Sequence, residues 1–352
     1  MQKPTIERAV MILFFLFLVF TGLFFAKPFL VPLCFAGLFA MLFLPLSRKF
    51  ERNGISRGLS ALFCILIFLA VVALIVVLIT WQVTDLTSDL GNVQQKAKQL
   101  LNQVQDYISS TFGVGEAQQD KIIEEQSKNT NGAIAGVGGY VFGFVVDFIL
   151  MLVYMFLFLH ARNHIRRFIL KLVPQSGTGD AEDAMANIQK VTQQYLTGMS
   201  LMIVCLWVLY SIGFSIVGLK NPIFFAILCG LLETVPFVGN LTGNSLAILM
   251  ALTQGGGGNM IIGILITYAL IQFFQTYVLE PLVVGAEVNI NPLFTIIALV
   301  LGELIWGIPG MVLAIPLLAI VKIVCDHIEP LKPYGFLIGS TKKKKKRFWQ
   351  KG

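Results

Sequence analysis

The chain has 352 residues, 56% of them hydrophobic and only 13% charged, with a mean hydropathy of +0.80. Soluble domains carry about 25% charged residues, so a wholly water-facing surface is excluded and a bilayer must solvate much of the chain. The formal net charge of +7 is matched by the tail alone, where Lys342 to Lys346, Arg347 and Lys351 follow the last apolar segment; this suits a solvated tail or an anchor on anionic lipid better than nucleic-acid binding.

Crossing a hydrocarbon core takes about 20 apolar residues. The first run, 10–26, follows Lys3 and Arg8. It reads as a retained transmembrane helix, because Phe24-Phe25-Ala26-Lys27 offers no small-residue cleavage site and Lys27-Pro28 leads straight into a second run at 29–46. Arg48, Lys49, Arg52 and Arg57 separate that run from a third at 59–80. The connection 81–132 holds seven acids and four lysines. Within it Val83, Leu86, Leu90, Val93, Ala97, Leu100, Val104 and Tyr107 alternate by three and four, a heptad seam. That extramembrane helix either pairs with another subunit or lies on its own protein or the lipid surface.

A fourth run at 137–160 contains Asp147 and is followed by Arg162, Arg166, Arg167 and Lys171. The positive-inside rule places both termini and the basic loops in the cytoplasm, with the acidic connection outside. Gly177 and Gly179 mark a loop before an amphipathic helix at 180–197, whose first turn holds Asp180, Glu182 and Asp183 and whose inner face holds Met185, Ile188, Thr192 and Tyr195. Apolar runs at 199–217, 222–252, 260–279 and 292–325 complete the chain. The expected architecture is an all-α polytopic membrane protein with about eight hydrophobic segments, two of them broken or re-entrant. It divides into N-terminal helices (1–80), an extracytoplasmic helical segment (81–132), a transmembrane helix with a cytoplasmic amphipathic helix (133–198), a transport core (199–330) and a cytoplasmic basic tail (331–352).

Catalytic signatures are lacking. No GxxxxGK, HExxH or GxSxG occurs. The five cysteines lie in apolar segments without CxxC spacing and read as packing residues. His160, His164 and His327 sit at segment ends. No enzyme, catalytic residue, metal or cofactor is expected.

A repeat carries the functional reading. Asn221-Pro222-Ile223-Phe224 recurs as Asn291-Pro292-Leu293-Phe294, and each copy has a glutamate twelve residues after its Asn, Glu233 and Glu303. Each segment then breaks, at Pro236, Gly239, Asn240, Gly243 and Asn244 in the first and at Gly307, Pro309, Gly310 and Pro316 in the second. As straight helices these segments of 31 and 34 residues would run about 45–50 Å, against a hydrocarbon core of about 30 Å. Length favours re-entrant hairpins over tilted single crossings, and unwound backbone at membrane depth survives only inside protein or beside a water-filled cavity. Discontinuous helices in matched positions point to a transport site between them. A charged glutamate at the bilayer centre costs about 2.5–3.5 kcal/mol on insertion scales; protonation or a partner cation would relieve that cost. Glu233 and Glu303 are therefore the expected coupling carboxylates, with Asp147 a third. Gln272 and Gln275 bond either a facing helix or a polar solute.

Glu233-Thr-Val-Pro236-Phe-Val-Gly239, Glu280-Pro281-Leu-Val-Val-Gly285, Asn291-Pro292, Gly307-Ile-Pro-Gly310, Leu313-Ala-Ile-Pro316 and Tyr195-Leu-Thr-Gly198 together resemble the AI-2E family of bacterial inner-membrane transporters. The likeness runs over nearly the whole chain and is strongest from Tyr195 to Lys322. It implies a homo-oligomeric, pentameric carrier with about eight membrane helices. Some members are assigned to export of autoinducer-2, others to sodium/proton antiport. The expectation is a secondary transporter exporting a small polar solute such as autoinducer-2. A cation/proton antiporter and a membrane scaffold without transport stand as alternatives. The partners expected are the lipid bilayer, a small polar solute or cation, and further copies of the chain, with no nucleic acid.

Overall fold

Continuous apolar runs interrupted by Gly, Pro and basic turns leave the backbone one way to satisfy its N–H and C=O groups in lipid, which is to coil into helices. A computed structural model describes residues 6–87, 116–173, 177–236, 238–284 and 290–340. These residues form α1 (Ile6–Phe25), α2 (Lys27–Arg52), α3 (Arg57–Thr87), α4 (Glu116–Leu172), α5 (Thr178–Val217), α6 (Pro222–Leu232), α7 (Val238–Thr253), α8 (Gly258–Phe274), α9 (Pro292–Trp306), α10 (Ile308–His327) and α11 (Lys332–Ile338). From Gln275 to Val284 the chain continues α8 as a wider π-helix, and Pro281, which has no N–H to donate, lies within it. Seven of the described helices are long and apolar enough to cross a membrane; α6, α7 and α9 are apolar but shorter. The protein is thus an all-α polytopic membrane protein. Large apolar side chains such as Phe14, Phe15, Phe17, Leu74 and Val77 point away from the protein, as lipid-facing residues do.

The chain divides into two compact units. The first comprises Met1–Ala61, Tyr154–Ser200 and Glu280–Gly352. Its core gathers Val31 and Leu38 of α2 with Trp306 and Leu313, and the Trp306 indole donates to the Leu23 carbonyl at 3.0 Å. Arg162 closes on Glu51 at 2.5 Å. The second unit comprises Leu62–Val153 and Leu201–Leu279. Leu206, Tyr210, Phe214, Ala226, Ala247 and Ile264 are buried in it. Gly213 faces Thr267 and Gly263 faces Val217 so closely that an added Cβ would stand 2.3 and 3.0 Å from those side chains. Small residues let α5 and α8 run antiparallel in close contact.

Two structural outcomes refine the sequence reading. The amphipathic helix at 180–197 and the apolar run at 199–217 form one 40-residue helix, α5. A lone glycine costs a helix interior only about 1 kcal/mol, and Gly198 is buried, so packing carries the helix through. The broken segments fold back on themselves as helical hairpins. In the first, Lys220 before α6 donates its backbone N–H to the Gln254 side chain after α7, at 3.0 Å. In the second, Gly302 of α9 meets Gly310 of α10, where an added Cβ would stand 2.5 Å from the facing carbonyl oxygen. Most of the heptad seam from Val83 to Tyr107 lies outside the described residues.

Candidate functional site

The tip of the α6–α7 hairpin is built by its sequence. Pro222 occupies the first turn of α6, where its missing N–H costs nothing. At the far end Pro236 supplies no donor and biases Val235 away from helix. The ladder tightens into short turns there, with Thr234 N–H bonding Leu231 C=O at 3.1 Å and Val235 N–H bonding Leu232 C=O at 2.8 Å. Only then does α7 begin. Its Gly239 lies so close to α6 that a Cβ would sit 1.6 Å from the Leu232 carbonyl oxygen. One turn on, Gly243 faces Cys229, where a Cβ would sit 3.0 Å from the sulfur. Two glycines on one face of α7 thus let its backbone lie against α6. From the other side Trp207 of α5 donates its indole N–H to the Ile227 carbonyl of α6 at 3.2 Å.

This close approach gathers a polar cluster in apolar surroundings. Asn240 donates from its amide to a Glu233 carboxylate oxygen at 3.2 Å, and also to the Gln272 carbonyl oxygen on α8. Asn244, one turn along α7, donates to the backbone carbonyl of Asn240 at 2.9 Å and to its side-chain oxygen at 3.0 Å. Gln272 reaches the Thr276 hydroxyl at 3.5 Å. Tyr210 of α5 is fully buried, with Glu233 and Asn244 as electrostatic neighbours. Gln275 is only 5% exposed and meets the Met202 sulfur. The Tyr210 hydroxyl has the Asn244 side chain as its hydrogen-bonding neighbour, while the Asn244 Oδ1 and Gln275 Oε1 are buried without a protein hydrogen bond. Each such group costs about 1–3 kcal/mol. A site of this kind can take a hydrogen-bonding solute or coordinate a cation, with Glu233 supplying a carboxyl group.

Five of the expected residues thus assemble here: Glu233, Asn240, Asn244 and Gln272 as side chains, and Gly239 as the close contact that makes room. Pro236 shapes the break, Gly243 lets α7 lie against α6 at Cys229, and Gln275 lies one turn beyond Gln272. Asp147 is exposed on α4. The remaining residues belong to the first unit. Asn291 caps α9, its side-chain oxygen accepting from Leu293 N–H at 3.0 Å, with Pro292 in the first turn. Gly307 breaks the hairpin with a positive φ of 70°, Pro309 enters the first turn of α10, and Pro316 is buried within α10. Glu303 is exposed one turn before the break, where its backbone carbonyl accepts from Gly307 N–H at 2.7 Å. Sequence reasoning missed Tyr210 and Trp207. Their polar atoms are single groups on long apolar runs, and only the four-residue spacing of Tyr210 and Phe214 marks that face.

Residues 12–329 match the family described as AI-2E family transporter. The chain belongs to that family. It is 28% identical over 156 residues to YrrI of Bacillus subtilis strain 168, a protein named provisionally as a transport protein, the match covering 44% of each chain. It is 26% identical over 160 residues to a provisionally named transport protein of Borreliella burgdorferi, covering 45% of this chain and 44% of that one. It is 27% identical over 136 residues to the provisionally named permease PerM of Escherichia coli K12, covering 39% and 38%. The matched stretch is thus less than half the length of these curated relatives.

Proposed function

We propose that this AI-2E family member is a secondary carrier that binds a small polar solute or its coupling cation at the tip of the α6–α7 hairpin. The observation that carries this reading is the Glu233–Asn240–Gln272–Asn244 cluster at a helix break, beside buried oxygens that make no protein hydrogen bond. As a helix of 11 residues, α6 brings Glu233 about 16 Å from the open end of the hairpin, half of a hydrocarbon core of about 30 Å. A carboxylate at that depth is costly unless it is protonated or partnered, which is why such groups mark ion and solute pathways. It can exchange a proton for a cation or a solute as access alternates. Glu303, one turn before the second hairpin's break, is the second carboxylate on which transport depends, and Asp147 the third.

The resemblance supports export of a solute such as autoinducer-2, by a homo-oligomer, pentameric in the family, in the bacterial inner membrane. One observation favours a second reading, cation/proton antiport. The orphaned groups are oxygens, and oxygen ligands suit hard cations.

The test is transport by the purified protein in proteoliposomes under an imposed pH gradient, with and without sodium. Glu233→Gln keeps the size and most hydrogen bonding but cannot titrate. It is expected to insert normally and to lose the pH dependence of transport. Sodium-dependent proton movement without added solute would select the antiport reading. Unchanged pH dependence in Glu233→Gln would remove the hairpin tip from the coupling mechanism.

A further inference from the structure

The first unit holds a cavity of about 600 Å³ between α2, α4 and α5, a size typical of small-molecule sites. Its wall changes character along its length. Gly37, Ala40, Met41 and Leu44 recur at helical spacing along one face of α2, and Phe158 and Leu159 of α4 join them. A turn further along each helix come Arg48, then Arg162 and Arg166, with Glu182 and Gln189 of α5 opposite. The apolar runs of the sequence end at Leu46 and His160. The cavity therefore straddles the level at which hydrocarbon gives way to headgroups.

The charges are unequal. Arg162 is held by Glu51 at 2.5 Å, and both are largely buried. Arg166 pairs with Glu182 at 2.8 Å, in the open. Arg48 donates to the neutral Gln189 side chain at 3.4 Å. Three guanidinium groups against the carboxylates of Glu51 and Glu182 leave the basic end positive. Guanidinium groups match phosphate with paired donors, and basic pockets between membrane helices are where anionic headgroups bind.

We propose that this cavity is a binding site for an anionic phospholipid of the surrounding bilayer. Its phosphate lies between Arg48 and Arg166, and one acyl chain lies along Gly37, Ala40 and Met41. This site is separate from the hairpin tip and does not rest on the transport reading.

The test is native mass spectrometry of the delipidated full-length protein titrated with phosphatidylglycerol, phosphatidylcholine or inorganic phosphate. Phosphatidylglycerol is expected to stay bound at collision energies that strip phosphatidylcholine. In the double variant Arg48→Gln/Arg166→Gln its affinity should fall by about tenfold or more, as expected for lost charge-assisted hydrogen bonds. Both arginines are exposed, so the fold should tolerate the change. Gly37→Leu fills the apolar end without altering charge. A Cβ there meets only Phe158, at 3.8 Å, so it too should fold, and it should weaken phosphatidylglycerol while leaving the basic tail intact. Equal retention of the two lipids would overturn the proposal, as would wild-type binding by Gly37→Leu. Competition by inorganic phosphate at matched concentration would reassign the arginines to a soluble anion and overturn it also.

Discussion

Gly239 is the residue on which the hairpin tip depends. A methyl group there would overlap the Leu232 carbonyl oxygen at 1.6 Å, and backbone cannot move aside as a side chain can. Gly239→Ala should therefore cost at least the roughly 1–3 kcal/mol of an overpacked core, read as a lower thermal midpoint of the detergent-solubilised protein. Asn240 tests chemistry rather than space. Asn240→Ala leaves Glu233 and Gln272 without their shared donor, so it should impair transport far more than it lowers the thermal midpoint. A proportionate loss of both would make Asn240 a structural residue. Trp207→Phe keeps the packing and leaves the Ile227 carbonyl without its indole donor. It should cost about 1 kcal/mol in the same melt, with transport retained. The carboxylate and amides of this cluster were legible in the sequence, because a Glu or Asn amid apolar residues stands out. The Tyr210 hydroxyl was not, because aromatic residues on an apolar run are ordinary core, and only the fold brings this one beside Glu233.

At the scale of the element, the two hairpins reach the same shape by different means. The first turns where Pro236 withdraws a donor, and the second where Gly307 takes a positive φ of 70°. The second pair is closed by Gly302 and Gly310 backbone to backbone. Gly302→Ala should therefore separate α9 from α10 and destabilise the first unit. Hydrogen exchange should then rise in α9 and α10 and not in α7. The breaks were readable because Pro and Gly are local signals, and the return of the chain followed from segments too long for one upright crossing. The continuity of α5 was not readable, since the Thr197-Gly198 pair looks like a boundary and only burial shows that it is not. The π-helical run after α8 was equally hidden. Pro281 announces an irregularity without saying which one, because the same missing N–H fits a kink, a stop or a widened turn.

For the whole molecule, the basic clusters that set orientation lie in 48–57, 162–171 and 342–351. All three are expected on the cytoplasmic side. A reporter fused after Lys351 that fluoresces only in the cytoplasm should be bright, and a periplasm-dependent enzyme at the same place silent. The reverse pattern would invert the chain. The α6–α7 hairpin bears on this in another way. Its two ends meet, as the bond from Lys220 to Gln254 shows, so the chain leaves on the side from which it entered. Such an element contributes an even number to the tally of passages through the bilayer. Its length, its tip and even its presence can change without reversing any helix that follows. The part of the protein that would touch cargo is therefore also the part that descent can rewrite with least consequence for the rest of the topology.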